Sequence, residues 1–227
     1  MNIIQKNIIN IKHQIIETAK KYHRLPEDIQ LLAVTKKKSC YDIQNAIYAG
    51  QYKFGENYAQ EGIKKIFYFK NQYNLEWHFI GTVQTNKTKL VAKYFDWCHT
   101  IDKFTIAERL NKQRPFDKKP LNVLIQINIT NEISKSGVMA NNVYTLANKI
   151  FLLPKLKLRG LMAIFFSNTE SMKQVSLFYT IEKMFQELKK RYPNIDTLSI
   201  GMTNDFDIAI AFGSTLLRIG QAIFGDR

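Results

Sequence analysis

A lysine closes the first apolar run of the sequence, Leu32-Ala33-Val34-Thr35-Lys36. Side chains alternate between the two faces of a strand, so Lys36 shares a face with Leu32 and Val34. If that face looks into a protein interior, the amine is partly desolvated and its pKa falls. It then becomes able to condense with a carbonyl as a Schiff base. The other reading makes Lys36-Lys37-Lys38 a solvated basic loop, and position alone leaves both open. Much later, Ser199-Ile200-Gly201-Met202-Thr203-Asn204-Asp205 leads from a short apolar run into a helical one. Free backbone N–H groups and the positive end of that helix would form an anion site. Arg218-Ile219-Gly220 supplies a further strand end, where a glycine lets a phosphate approach the backbone. The competing reading is an ordinary helix cap and turn.

Other chemistry is thin. His13, His23, His78 and His99 are isolated in sequence, with no His-x-x-x-His pair or acidic cluster to build a metal shell. His78, inside Trp77-His78-Phe79-Ile80, reads as a hydrogen-bonded core residue. Cys40 and Cys98 have no Cys-x-x-Cys spacing and read as packing residues rather than a disulfide, a zinc site or nucleophiles. Neither a Gly-x-Ser-x-Gly elbow nor a Walker loop is present.

Positioning these residues requires strands that alternate with helices. Runs rich in branched and aromatic side chains fall at Leu31–Thr35, Tyr52–Gly55, Trp77–Gly81, Trp97–Ile101, Asn122–Ile129, Leu158–Ile164, Thr197–Gly201 and Thr215–Ile219. Helical periodicity falls at Tyr41–Tyr48, Gln60–Tyr68, Asn86–Tyr94, Phe104–Lys112, Asn142–Leu152, Met172–Arg191 and Phe206–Phe212. An amphipathic helix carrying Ile4, Ile8, Ile11 and Ile15 precedes them and ends near Tyr22 to Leu25. This is the count for an α/β fold, a single (β/α)8 TIM barrel, with the opening helix as an extra element capping its bottom. A doubly wound sheet would want a glycine-rich turn after its first strand, and Val34 to Ser39 holds no glycine. In such barrels function sits at the carboxyl ends of the strands. Those ends carry Lys36 and Lys38, Glu56 and Asn57, Gln84, Asn86 and Lys87, Asp102, Lys135, Thr203 to Asp205, and Arg218.

Composition agrees. The 227 residues, 45% hydrophobic and 23% charged, describe one globular domain spanning 1–227, with 1–25 as leading helix and connection. The longest apolar runs, such as Leu121 to Ile129, fall far short of the roughly 20 residues that span a bilayer. The first residues offer no small-residue cleavage site, and a reducing, cytoplasmic setting is expected. Subtracting 19 acidic from 33 basic residues leaves +14, which favours phosphate-bearing partners. The lysines are nevertheless spread along the chain without a basic-aromatic stripe, so no specific nucleic acid is expected.

Seven segments taken in order carry a resemblance. They are Leu32 to Lys36, Phe54-Gly55-Glu56-Asn57-Tyr58, His78 to Gly81 with Gln84 to Lys87, Ser134 to Gly137, Arg159 to Met162, Ser199 to Met202, and Arg218 to Gly220 with Ile223-Phe224-Gly225. Together they resemble the pyridoxal phosphate homeostasis proteins, also called proline synthase co-transcribed proteins, over nearly the whole chain. That family is similar to the barrel domain of alanine racemase and fold-type III decarboxylases, without their second domain.

The resemblance implies pyridoxal phosphate as cofactor, held as a Schiff base on Lys36. It also implies that Ser199, Gly201, Met202, Thr203 and Gly220 surround the phosphate, with Asn57 near the ring and Arg218 facing the pyridine nitrogen. An arginine there keeps that nitrogen unprotonated and weakens the ring as an electron sink. The function implied is intracellular supply and homeostasis of the cofactor by a monomer, with apoenzymes as recipients and no membrane partner. The rival is a small amino-acid racemase, which needs a base on each face of Cα. Lys36 would serve one face and Tyr58 is the nearest candidate by sequence for the other, since no second domain is expected after Arg227. The reading is therefore of a carrier and not an enzyme. Three positions depart from the family pattern. Thr203 replaces serine and keeps the hydroxyl, Gln221 replaces a small hydroxyl residue, and Phe165-Phe166 replaces a small-residue loop.

Overall fold

Isoleucine spacing builds the first helix. α1 (Ile3–Lys21) lines up Ile4, Ile8, Ile11, Ile15 and Ala19 on one buried stripe. A capping box starts it, with Asn2 Oδ1 accepting the Gln5 N–H at 3.1 Å and Gln5 Oε1 accepting the Asn2 N–H at 3.0 Å. A computed structural model describes residues 1–130, 136–165 and 171–225. Lys135 and Phe166, both singled out above, lie outside the described residues.

After α1 the chain alternates through β1 (Gln30–Val34), α2 (Cys40–Tyr48), β2 (Lys53–Glu56), α3 (Ala59–Phe69), β3 (Glu76–Phe79), α4 (Thr88–Tyr94), β4 (Trp97–Ile101) and α5 (Phe104–Gln113). It continues through β5 (Leu121–Asn128), β6 (Val138–Met139), α6 (Val143–Phe151), β7 (Leu156–Met162), α7 (Ser171–Arg191), β8 (Thr197–Ser199), α8 (Phe206–Ala211), β9 (Leu216–Ile219) and α9 (Gln221–Phe224). The strands lie in the order β4-β3-β2-β1-β9-β8-β7-β5, all parallel, and β4 pairs with β5 to close the circle. These are the eight expected strands, with ends displaced by a residue or two, and the fold is a (β/α)8 barrel. β6 is a two-residue addition that pairs only with β5.

The opening helix does not cap the bottom. Asn7 Nδ2 donates to Ile223 O in α9 at 2.9 Å, and Lys12 Nζ reaches Ala49 O and Gly50 O at the end of α2. Just beyond α1, Arg24 donates to Ile210 O and Ser214 O at the end of α8. α1 therefore stands in the outer ring between α8 and α2, antiparallel to the strands. The reason is length. α9 has one turn and cannot cover the outer faces of β9 and β1, so the isoleucine stripe takes that surface.

Alternation along the strands sorts two cores. Trp77, Phe79, Cys98, Val123, Ile125, Leu161 and Leu217 face the helices in one continuous cluster, while Trp97, Leu124 and Met162 face inward as a second. No helix among the described residues is long and apolar enough to cross a membrane.

Candidate functional site

The carboxyl ends of β1, β2, β3, β7, β8 and β9 surround a cavity of 520 Å³. Of the residues anticipated from sequence, Lys36, Asn57, Met202, Thr203, Asn204, Asp205, Arg218 and Gly220 line it, joined by Val34, Ile80, Ile164 and Gln221. Register explains the gathering. Leu32 pairs with Arg218 and Ala33 with Ile219, so Gly220 arrives beside Val34 and Lys36 continues the same inward face. Phe165 packs on Phe178 at 4.0 Å between ring centroids and is a wall of the cavity. Lys87 and Asp102 do not line it.

Charge behind the wall clamps the backbone around Lys36. Lys65 of α3 is buried, and its Nζ donates to Thr35 O at 2.6 Å, Glu56 Oε1 at 2.7 Å and Glu61 Oε1 at 2.7 Å. Glu61 also accepts the Lys37 N–H at 2.6 Å, and Thr35 Oγ1 donates to Glu56 at 2.6 Å. The residues on both sides of Lys36 are thus fixed, although Lys37 holds φ at +60°, a conformation unfavourable for a side chain other than glycine. Burial pushes the Glu56 carboxyl up, against the pull of Lys65 and Thr35. Sequence reasoning missed Lys65 and Glu61. Their signal, Glu and Lys four residues apart on one helix, is that of any solvated pair.

Arg218 is held from below. It is 5% exposed, and Nη1 donates to Ser199 O and Ser199 Oγ while Nη2 donates to Ala163 O at 2.8 Å. Burial lowers its pKa to about 10, opposed by Asp205, so it stays charged at neutral pH. Ser199 is therefore not in the cavity wall. Its parity turns the hydroxyl into the barrel, where it meets Arg218 at 2.8 Å and His99 Nδ1 at 3.2 Å. The histidines are not all isolated either. The pairing of His78 with Trp97 sets His99 one step further up the inner wall, and His78 Nδ1 meets His99 Nε2 at 2.8 Å. Among the described residues no His, Cys, Asp and Glu group could hold a metal. Cys98 is buried, which pushes its thiol up to about 11, and both cysteines are free.

The loop after β8 differs from its sequence reading. α8 has six residues, and the Met202 N–H is not free, since it donates to Asp205 Oδ1 at 2.6 Å. Gly201 holds φ at +96°, and a Cβ there would lie 2.7 Å from both Ala209 and Leu217. That glycine serves packing. Gly220 is different. A Cβ there would stand 3.3 Å from Val34 Cβ on the cavity side. Thr203 Oγ1 accepts the Ala222 N–H at 3.4 Å, tying the loop to α9. Asn57 Oδ1 is buried and finds no hydrogen-bond donor in the structure described. Tyr58, 54% exposed, does not line the cavity.

Residues 7–227 match the family model described as alanine racemase, N-terminal domain. The pyridoxal phosphate homeostasis protein of Escherichia coli K12 is 52% identical over 229 residues, covering 100% of this chain and 98% of its own length. That of Haemophilus influenzae is 54% identical over 228 residues, covering 99% of this chain and 96% of its own length. The chain belongs to the pyridoxal phosphate homeostasis protein family. Among solved structures, PipY of Synechococcus elongatus PCC7942 with PLP bound superimposes with a TM-score of 0.80 at 30% identity, covering 93% of this chain and all of PipY. Alanine racemase from Corynebacterium glutamicum, at 14% identity and a TM-score of 0.68, shares the fold with this family over 61% of that enzyme.

Proposed function

We propose that this chain binds pyridoxal phosphate in the cavity and serves in its intracellular supply, with Lys36 as the covalent anchor. One observation carries the reading, which is that a strand-end lysine and a buried arginine face one cavity in a chain whose relatives are named for that cofactor. The residues present fit the group. Arg218 offers a cation to the ring nitrogen, Asn57 Oδ1 is a buried acceptor without a donor, and the bare Cα of Gly220 leaves space that a Cβ would fill. When bound, the group supplies an aldehyde carbon on which a primary amine is carried reversibly.

Each side chain then has a task. Lys36 provides the amine, with its backbone already fixed by Glu61 and Lys65. Thr203 and Gly220 flank the phosphate, Met202 closes one side, and Arg218 leaves the ring nitrogen unprotonated. Ser199 acts through Arg218, and Gly201 through the packing of the loop. Action as a monomer belongs to the same reading. Passing cofactor to apoenzymes in a cytoplasmic setting completes the reading.

The carrier reading is preferred to racemisation because Tyr58 stands outside the cavity wall and Asp205 is bound to Met202 N–H, so that among the described wall residues Lys36 is the base best placed to move a proton at Cα. Borohydride treatment of the cofactor-loaded chain followed by peptide mass spectrometry tests the anchor, with the adduct expected on Lys36. An adduct confined to Lys38 or Lys135 would remove the assignment. Incubation with single-enantiomer amino acids in deuterated water tests the rest. Appearance of the opposite enantiomer at about 1 per second or faster, lost in Lys36→Ala, would establish a racemase.

A further inference from the structure

A line of polar side chains runs through the middle of the barrel, which is otherwise filled at that level by Trp97, Leu124 and Met162. Starting at the cavity, Arg218 Nη1 meets Ser199 Oγ at 2.8 Å and Ser199 Oγ meets His99 Nδ1 at 3.2 Å. His99 Nε2 meets His78 Nδ1 at 2.8 Å, and His78 Nε2 meets Glu76 Oε1 at 2.9 Å. Glu76 begins β3 and lies at the opposite end of the barrel, where Lys53 Nζ also binds it at 2.9 Å. Both rings are wholly buried, and His78 lies flat on Trp97, 5.1 Å away at 10° between planes.

The ends, together with neutral rings, dictate the direction of every link. A guanidinium has donors only and a carboxylate acceptors only. Glu76 stays ionised because, although burial raises its pKa, hydrogen bonds from His78 and Lys53 bring it down to about 2. With Glu76 an acceptor and both rings neutral, the directions follow from that end, and Ser199, which accepts from Arg218, donates to His99. His99 must then donate from Nε2 to His78, and His78 from Nε2 to Glu76. Each ring nitrogen is used once when both rings are neutral. The groups facing His78 are Glu76, Lys53, Asp96 and His99, and those facing His99 are His78, Ser199 and Arg218. Burial lowers both imidazole pKa values, in agreement with neutral rings. A proton added to His78 would reverse the link above it, and Ser199 Oγ would then accept from both His99 Nδ1–H and Arg218 instead of donating to His99.

We propose that His78 and His99 are positioning residues, which with Ser199 form a one-way chain from Glu76 to Arg218 and hold the guanidinium in one orientation toward a pyridine-ring ligand. The proposal rests on the cofactor reading above, and adds that a site at the far end of the barrel sets how the ring is gripped. Because the chain acts on the ring nitrogen and not on phosphate or aldehyde, its loss has a chemical signature.

Two measurements on the full chain test it. Ring nitrogen-15 spectra of the ligand-free protein at pH 7 are expected to show both buried histidines neutral, with the proton on Nε2. An imidazolium or an Nδ1–H form at either ring overturns the chain, whatever binds in the cavity. The second compares pyridoxal phosphate with its 1-deaza analogue, in which the ring nitrogen is a C–H. Glu76→Leu, far from the cavity, should weaken pyridoxal phosphate about fivefold or more and leave the analogue unchanged, while Glu76→Gln, which keeps an acceptor, restores the parent affinity. Equal change for both ligands, or none for either, refutes positioning. Failure of the parent chain to take up cofactor on Lys36 would instead refute the cofactor reading, and the nitrogen spectra would still decide the chain.

Discussion

The two walls of the cavity are held by opposite means. Behind Lys36, Lys65 touches two carboxylates and a carbonyl, so charge is neutralised where it sits and the product is a fixed backbone. Behind Arg218 no carboxylate among the described residues hydrogen-bonds the guanidinium, whose bonds go to two backbone carbonyls and a serine hydroxyl. There the side chain is fixed but its charge is left to act on the cavity. A clamp that cancels charge suits a loop that must keep its shape. One that spares charge suits a residue that must meet a ligand.

The largest break in this contrast is Lys65→Met. It strands Glu56 and Glu61 beside each other without a cation, and removing one partner of a buried pair costs about 3–5 kcal/mol. Urea unfolding should show that loss, and Lys65→Met with Glu56→Gln should recover part of it. A loss under about 1 kcal/mol would make the cluster a solvated pair after all. Gly220→Val addresses the open side of the cavity. Its backbone is not in the left-handed region, so the effect is steric. Pyridoxal phosphate affinity should fall about tenfold or more, ~1.4 kcal/mol, with pyridoxal much less affected. Equal loss for both ligands would put the phosphate elsewhere.

A smaller change sharpens the comparison. Asp205 brings a carboxylate into the cavity wall on the side of Arg218, and Asp205→Asn keeps an acceptor for the Met202 N–H while removing the charge. Inorganic phosphate should bind about threefold more tightly, read by calorimetry, and weaker binding would show that the carboxylate orders the loop.

The smallest effect is on acid stability. Glu76 has its folded pKa lowered from 4.5 to about 2, so its contribution is complete above pH 4.5 and fades as pH falls toward 2. His78 and His99 are lowered from 6.5, so the unfolded chain takes up protons first and stability also declines as pH drops below 6.5. Melting temperature against pH should flatten below pH 4.5 in Glu76→Gln. An unchanged slope there would assign the acid loss to other carboxylates.

What could be read from sequence follows range of interaction. Strand runs and helix periods are local, so all eight barrel strands were legible, and strand-end position pointed to Lys36 and Arg218. The two-residue β6 and one-turn α9 carry too few residues for any period to show. Lys65 looked like every other exposed lysine on a helix, because what buries it is Thr35, 30 residues away. His78 and His99 looked isolated at a separation of 21, and become neighbours only through the pairing of β3 with β4. The reading of the loop after β8 erred for a similar reason. Ala209 and Leu217, which require Gly201, and Asp205, which takes the Met202 N–H, act through contacts that no spacing rule reveals.

The placement of α1 has a consequence for how the chain reaches this state. Its isoleucine stripe precedes the whole barrel in the chain, and α2 packs on it early, but the rest of its cover belongs to α8 and α9, and Asn7 meets Ile223 across 216 residues. Until β9 has left the ribosome, β1 also lacks one of its two neighbours. The barrel therefore cannot close by stepwise addition from its first strand. Closure joins β9 to β1 late, and until then the part of the α1 stripe that meets α8 and α9 stays uncovered, the kind of apolar exposure that invites chaperones while long-range contacts form slowly.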